Sequence, residues 1–110
     1  MRIILNILIL IFTSYCGIGQ FSEEQIISTE LQNPRYVHAV DINGDTFIDV
    51  VVASIGDNTV AWFENDGLGN FGPMRIINQA LHIEFLSSGD LDGDDDMDIL
   101  ATALFDDLII

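Results

Sequence analysis

Two acidic segments, DINGDTFID from Asp41 to Asp49 and DLDGDDDMD from Asp90 to Asp98, place side-chain oxygens at relative positions one, three, five and nine. Gly44 or Gly93 stands at position four, where a residue free of a Cβ lets the backbone turn sharply around a centre. Oxygen donors at this spacing suit a hard cation. Calcium takes six to eight oxygens at roughly 2.3–2.6 Å, a shell that several carboxylates, an amide oxygen, a backbone carbonyl and water can fill. Without a cation, mutual repulsion spreads such groups apart.

The first segment offers Asp41, Asn43, Asp45 and Asp49, with the carbonyl of Phe47 as backbone ligand; the second offers Asp90, Asp92, Asp94 and Asp98, with the carbonyl of Asp96. Asp92 in place of neutral Asn43 makes the second site one charge more negative, so it is expected to hold calcium more tightly. Asp, Asn and Gly are also ordinary turn residues, and the rival reading is a pair of solvated acidic turns. Turn formation alone does not demand four oxygens at matched spacing twice. A helix-loop-helix calcium hand is excluded by Thr46 or Asp95 at position six, where that loop needs Gly, and by Val52 or Ala101 at position twelve, where it needs Glu. Paired acids such as Asp94 and Asp98 could suggest glycoside hydrolysis, but that chemistry wants one carboxyl isolated in an apolar pocket, and these acids cluster.

The elements that position these loops repeat with them. With Asp41 set on Asp90, Asp49 falls on Asp98, Val50 on Ile99, Val51 on Leu100, Val52 on Ala101 and Asp57 on Asp106. FSEEQIIS from Phe21 likewise resembles FGPMRIIN from Phe71. A period of about fifty residues is the length of a four-stranded propeller blade. Four short extended segments fit one period: residues 35–40, 48–54, 59–64 and 71–78. Val50 to Ala53 form a β-branched and small apolar run suited to a strand buried on both faces. IGDN from Ile55 and NDGLGN from Asn65 supply the intervening turns. The second period repeats the order at residues 82–88, 97–103 and 108–110, ending inside a strand. Residues 22–31 read two ways: Ser22 with Gln25 fits a helix capping box, whereas the likeness to residues 71–78 favours the terminal strand of an incomplete blade. The strand is the reading adopted.

The motif D-x-[DN]-G-D, followed four residues later by Asp and an apolar strand, resembles the FG-GAP repeat, also called the VCBS repeat, of integrin-alpha-like β-propellers and many secreted bacterial proteins. HAVDINGDTFIDVVVAS and VAWFENDGLGNFGP strengthen the likeness, which covers Phe21 to Ile110. It implies an all-β propeller fold, calcium held in the hairpin between the first two strands of a blade, and a binding or adhesion role in many members. Asp95 stands where Gly is usual, which strains the turn without removing a ligand. Propellers use four to eight blades, so fewer than two complete blades here imply a fragment of a larger propeller; a short chain assembling from several copies is the alternative. Fold alone does not fix a partner or a reaction.

At the N-terminus, Arg2 precedes an apolar run from Ile3 to Phe12 and the small-residue sequence Gly17-Ile18-Gly19, the layout of a secretory signal peptide. The run is about ten residues, short of the ~20 that span a bilayer as a helix. An uncleaved anchor and a lipoprotein attached through Cys16 are the alternatives. Cleavage removes the one cysteine, so calcium becomes the natural staple in place of a disulfide. The chain carries eighteen acidic residues against three basic ones, all arginine, for a formal net charge of −15. Losing Arg2 takes this to −16, a balance that repels nucleic acid and anionic membranes.

The expected organisation is a signal peptide over 1–19, a terminal strand and linker over 20–34, a first repeat over 35–80 and a truncated second over 81–110. Trp62 and Phe63 point to opposite faces of a strand and are expected to pack between blades. His38 and His82 do not align between repeats and read as surface or strand-packing residues, not as ligands. The leading function is a secreted, extracellular or cell-surface calcium-binding module without catalytic activity, presenting loops to a protein or carbohydrate ligand. The alternatives are an accessory or partial domain of a secreted enzyme whose catalytic part lies beyond residue 110, and a structural spacer at the cell surface. N-terminal sequencing of the exported protein should begin at Gln20; an intact Met1 would reject cleavage.

Overall fold

The computed structural model describes residues 24–79, 82–104 and 108–109. The expected signal segment with Cys16, and residues Phe21, Asp106 and Ile110, lie outside the described residues. Seven strands run in chain order as β1 (Pro34–Val40), β2 (Asp49–Ser54), β3 (Thr59–Phe63), β4 (Arg75–Gln79), β5 (Ile83–Gly89), β6 (Asp98–Ala103) and β7 (Leu108–Ile109). They form two open antiparallel sheets, β1-β2-β3-β4 and β5-β6-β7, with no helix among the described residues. The fold is the expected all-β one, with a complete four-stranded unit followed by part of a second.

The repeat extends to hydrogen-bond register. Val40 pairs with Asp49 at the mouth of the first acidic loop, and Gly89 pairs with Asp98 at the mouth of the second. Both pairs of strands carry a register shift at matching places, between Pro34 and Tyr36 and between Ile83 and Phe85. Such a bulge raises the local twist of the strand pair.

Alternation along the strands gives each sheet two faces. One face of the first sheet turns Val40, Val51, Ala53 and Val60 toward Ile83, Leu86, Ala101 and Ala103 of the second, and these eight buried residues form the main core, with Tyr36 and Ile99 packed at its margin. Small alanines at three of the eight positions let the two backbones approach closely. His38 joins the same contact, its Nε2 lying 2.8 Å from Ser88 Oγ on the neighbouring sheet. Of the two expected roles, surface or strand packing, His38 takes the second. The opposite face buries Val52, Ala61 and Phe63 with Leu31, Val50, Phe71 and Met74 around them.

Phe63 and Trp62 do point to opposite faces. Phe63 is buried, while half-buried Trp62 lies under the Arg75 guanidinium, 4.7 Å from its ring centroid. A cation held over an indole face is attracted by the ring quadrupole.

Two expectations change. The terminal strand is not formed over residues 24–33, and neither is the capping-box helix. Backbone bonds run instead from Ile55 N to the Asn33 carbonyl and from Gly56 N to the Gln32 carbonyl, while the Asp57 carboxylate accepts from Gln32 N. These bonds pin Gln32 and Asn33 to the β2–β3 turn at the end of the sheet, so their carbonyls are satisfied without an edge partner. The fourth strand starts at Arg75 and not at Phe71, because Pro73 has no N–H to give to a ladder. Phe71 makes one isolated bridge with Asn65. The turn between them is organised by Asp66, whose Oδ1 accepts from Leu68 N and Asn70 N and whose Oδ2 accepts from the Asn70 amide. That side-chain bond from Asn70, with the backbone donors behind it, holds the Asp66 carboxyl below the ordinary aspartate range.

Candidate metal centre

Each acidic loop joins the first two strands of its sheet, and the carboxylate at position one shapes it from within. Asp41 Oδ1 accepts from Gly44 N at 2.8 Å and Asp45 N at 3.1 Å, and its Oδ2 accepts from Thr46 N at 2.8 Å. Asp90 does the same in the second loop, taking Gly93 N at 2.6 Å, Asp94 N at 3.2 Å and Asp95 N at 3.1 Å. Position three accepts the position-five N–H through Asn43 or Asp92, and position five accepts the position-seven N–H through Asp45 or Asp94. Position nine closes the ring: Asp49 Oδ2 and Asp98 Oδ2 accept from Ile42 N and Leu91 N at position two. The same five backbone donors are thus held, through six hydrogen bonds, by the same four side chains in both loops.

Backbone torsions match as well. Position four takes φ of 74° in Gly44 and 82° in Gly93, and position six takes φ of 76° in Thr46 and 70° in Asp95. Left-handed backbone is comfortable for Gly and tolerable for Asp, but strained for a β-branched residue. The turn strain expected at Asp95 is therefore shared by Thr46.

The second loop gathers Asp90, Asp92 and Asp98 so that one carboxylate oxygen of each lies within 4.8 Å of the others. Two ligands on opposite sides of a calcium ion at 2.3–2.6 Å are about 5 Å apart, so this trio fits within one coordination shell. Asp90 Oδ1 accepts two backbone N–H groups, whereas Asp90 Oδ2, Asp92 Oδ1 and Asp98 Oδ2 each accept one and keep a lone pair for a cation. Asp94 is not part of the trio, although its backbone neighbours are held in the loop with it. In the first loop the corresponding residues are Asp41, Asn43 and Asp49, with one carboxylate fewer. The carbonyls proposed as ligands belong to Phe47 and Asp96, whose own N–H groups are held by Asp45 and Asp94.

The surroundings of the first loop are more elaborate. Asp49 is fully buried, and its Oδ1 accepts from Asn65 N at 2.8 Å, tying the loop to the end of β3. Asn65 also donates its side-chain amide to the Ile48 carbonyl. The Phe47 ring lies against Gly67, where a Cβ would come within 2.5 Å of it, so only glycine fits under the ring. Asn43 Nδ2 donates to Asp45 Oδ2 and to Glu64 Oε1, and Glu64 in turn accepts from Arg75 at 2.6 Å. Glu64 thereby fixes the Asn43 amide with its Oδ1 available to the loop interior. Residues Asn65, Glu64 and Gly67 were not legible as site residues, because they come from the β3–β4 hairpin. Asp98 is half-buried and Asp90, Asp92, Asp94 and Asp96 are exposed.

A family model described as an FG-GAP-like repeat matches residues 41–101, more than half of the chain. No curated protein and no solved structure matches it.

Substitution at positions four and six separates backbone strain from contacts. A Cβ at Gly44 would meet nothing within 4 Å, so Gly44→Ala is expected to cost about 1–2 kcal/mol from torsion alone. Thr46→Gly is expected to raise stability by up to about 1 kcal/mol, the relieved strain being partly offset by the added freedom of the unfolded chain. Urea unfolding of the two variants beside the parent checks the opposite signs.

Proposed function

The chain belongs to the FG-GAP-like repeat family, and from that premise we propose that it is a secreted, calcium-stabilised β-propeller module without catalytic activity, presenting loops to a protein or carbohydrate partner. The observation that carries the calcium reading is the Asp90, Asp92 and Asp98 trio, three like charges brought together in a loop whose backbone is already closed. Among the described residues the one side-chain ion pair is Arg75 with Glu64, so the trio has no cationic side chain as counter-ion. Bound calcium supplies that positive charge.

The residues that would hold it are Asp41, Asn43, Asp45, the Phe47 carbonyl and Asp49 in the first loop, and Asp90, Asp92, Asp94, the Asp96 carbonyl and Asp98 in the second. The position-one carboxylates fold the loop, position three supplies the ligand that distinguishes the two sites, and the position-nine carboxylates tie the loop to the following strand. Half of the eighteen acids lie in these loops, so compensation there relieves much of the repulsion in the molecule. Export is supported by Arg2 and the short apolar run behind it, and the extracellular calcium level suits loops of this exposed kind. A binding role is supported by where the loops sit: they are exposed, at one end of a rigid sheet framework, which is where recognition residues concentrate.

Thermal melts test the metal. Calcium at a hundredfold excess over its dissociation constant contributes about 2.7 kcal/mol, which for a domain of this size raises the midpoint by about 10 °C or more over chelator. Coincident melts would sink the reading. Glycan arrays and pull-downs with the calcium-loaded protein then separate a binding module from a spacer.

Calorimetry tests the assignment of ligands. The second loop should bind more tightly, and Asp92→Asn should weaken it about tenfold toward the first. Glu64→Ala should weaken the first site about tenfold by releasing Asn43, and leave the second unchanged. A tighter first site would overturn the ranking.

A further inference from the structure

Asn43 is the one asparagine in the chain followed by glycine, and the pair stands in an exposed loop. Such a dipeptide can react with itself. The Gly44 backbone nitrogen attacks the Asn43 carboxamide carbon, the new C–N bond closes a succinimide ring, and the side-chain nitrogen leaves as ammonia. Water then opens either ring carbonyl, leaving aspartate or isoaspartate at position 43. Glycine favours the attack because it carries no Cβ to obstruct it, and the space around Gly44 is open.

The folded loop holds both reacting groups away from this step. The nitrogen must lose its proton to attack, yet Gly44 N–H donates to Asp41 Oδ1 at 2.8 Å, a charge-assisted bond that keeps the proton in place. The carboxamide must turn toward that nitrogen, yet Asn43 Oδ1 accepts from Asp45 N at 3.1 Å, and its Nδ2 donates to Asp45 Oδ2 at 3.0 Å and to Glu64 Oε1 at 2.9 Å. The bonds to Asp41 and Asp45 lie within the loop. Only the bond to Glu64 comes from another element, the β3–β4 hairpin, where Arg75 holds the other Glu64 oxygen at 2.6 Å.

We propose that Asn43 is a self-deamidation site gated by Glu64: while Glu64 holds the amide the loop is stable, and when that bond opens Asn43 cyclises onto Gly44. The inference rests on these hydrogen bonds and is independent of the calcium reading. The aspartyl product gives the first loop the oxygen pattern of the second, Asp-x-Asp-Gly-Asp. Asp92 shows that a carboxylate fits there, since its Oδ1 accepts from Asp94 N as Asn43 Oδ1 accepts from Asp45 N. The product has no donor for Glu64 or Asp45, so each of them then faces a like charge. The isoaspartyl product adds a methylene to the backbone and displaces the loop's bonds.

The test is the rate at which position 43 turns from amide to acid in the full chain, held in chelator at mildly alkaline pH. Peptide mass spectrometry reads the conversion, and chromatography separates aspartate from isoaspartate. The folded parent should react more than about tenfold more slowly than the same chain unfolded in guanidinium chloride. Glu64→Ala should react about tenfold faster than the folded parent, the worth of one hydrogen bond to a charged acceptor, with circular dichroism and amide exchange in β2 and β3 unchanged. Glu64→Asp, which keeps a charge for Arg75 but falls one methylene short of Asn43, should be accelerated as well and serves if the alanine variant does not fold. Equal rates in the folded and unfolded parent overturn the proposal, as does an unfolded chain that keeps its amide. So do folded Glu64 variants that react at the parent's rate, which would leave the bonds within the loop as the whole of the protection.

Discussion

Capture of three backbone N–H groups by one aspartate carboxylate is the interaction on which the site and the first two strands of each sheet depend. A loop of nine residues that reverses direction between paired strands leaves its amides pointing inward, where no ladder can take them. Asp41 and Asp90 accept three of them each, and the carboxylates at positions five and nine accept two more. With the amides satisfied, the chain can hold left-handed torsions at positions four and six and return in register, Val40 opposite Asp49 and Gly89 opposite Asp98. The same arrangement collects negative charge in a small volume. Loop closure and cation attraction are therefore two consequences of a single pattern of oxygens.

The first loop shows how a blade supports such a site from outside it. Asp49 is buried because Asn65 closes over it, Phe47 is held because Gly67 makes room for its ring, and Asn43 is oriented because Glu64 takes its amide. Glu64 is itself held by Arg75, which lies over Trp62. A chain of contacts thus runs from the edge strand β4 through β3 to the acidic loop. The second loop has the higher charge, and the first has the more complete framework.

Much of this was legible in the residues. The run Val50 to Ala53 reads as a strand buried on both faces because both of its faces are apolar, and β2 has sheet core on either side. The acidic segments read correctly as loops between paired strands because their turn chemistry is local, set by torsions within nine residues. Legibility failed at residues 24–33, where a likeness to residues 71–78 suggested a strand. Local pattern records apolar spacing but not whether an edge is free to receive a strand, and here the carbonyls of Gln32 and Asn33 bond to the β2–β3 turn instead. It failed again at Phe71, where Pro73 delayed β4 until Arg75.

The sequence by itself determined the all-β class, the duplication, the two oxygen-lined loops and the acidic balance, because each of these is a property of residue type at short spacing. Only the tertiary structure decided that Asn65, Gly67 and Glu64 from the β3–β4 hairpin would complete the first loop, that His38 would meet Ser88, and that Leu86 would be covered by the first sheet. Those outcomes depend on which surfaces come together after the strands have formed. Two repeats with nearly the same local pattern present the same faces, and what distinguishes Leu86 from Val37 is only whether a neighbouring sheet lies over it.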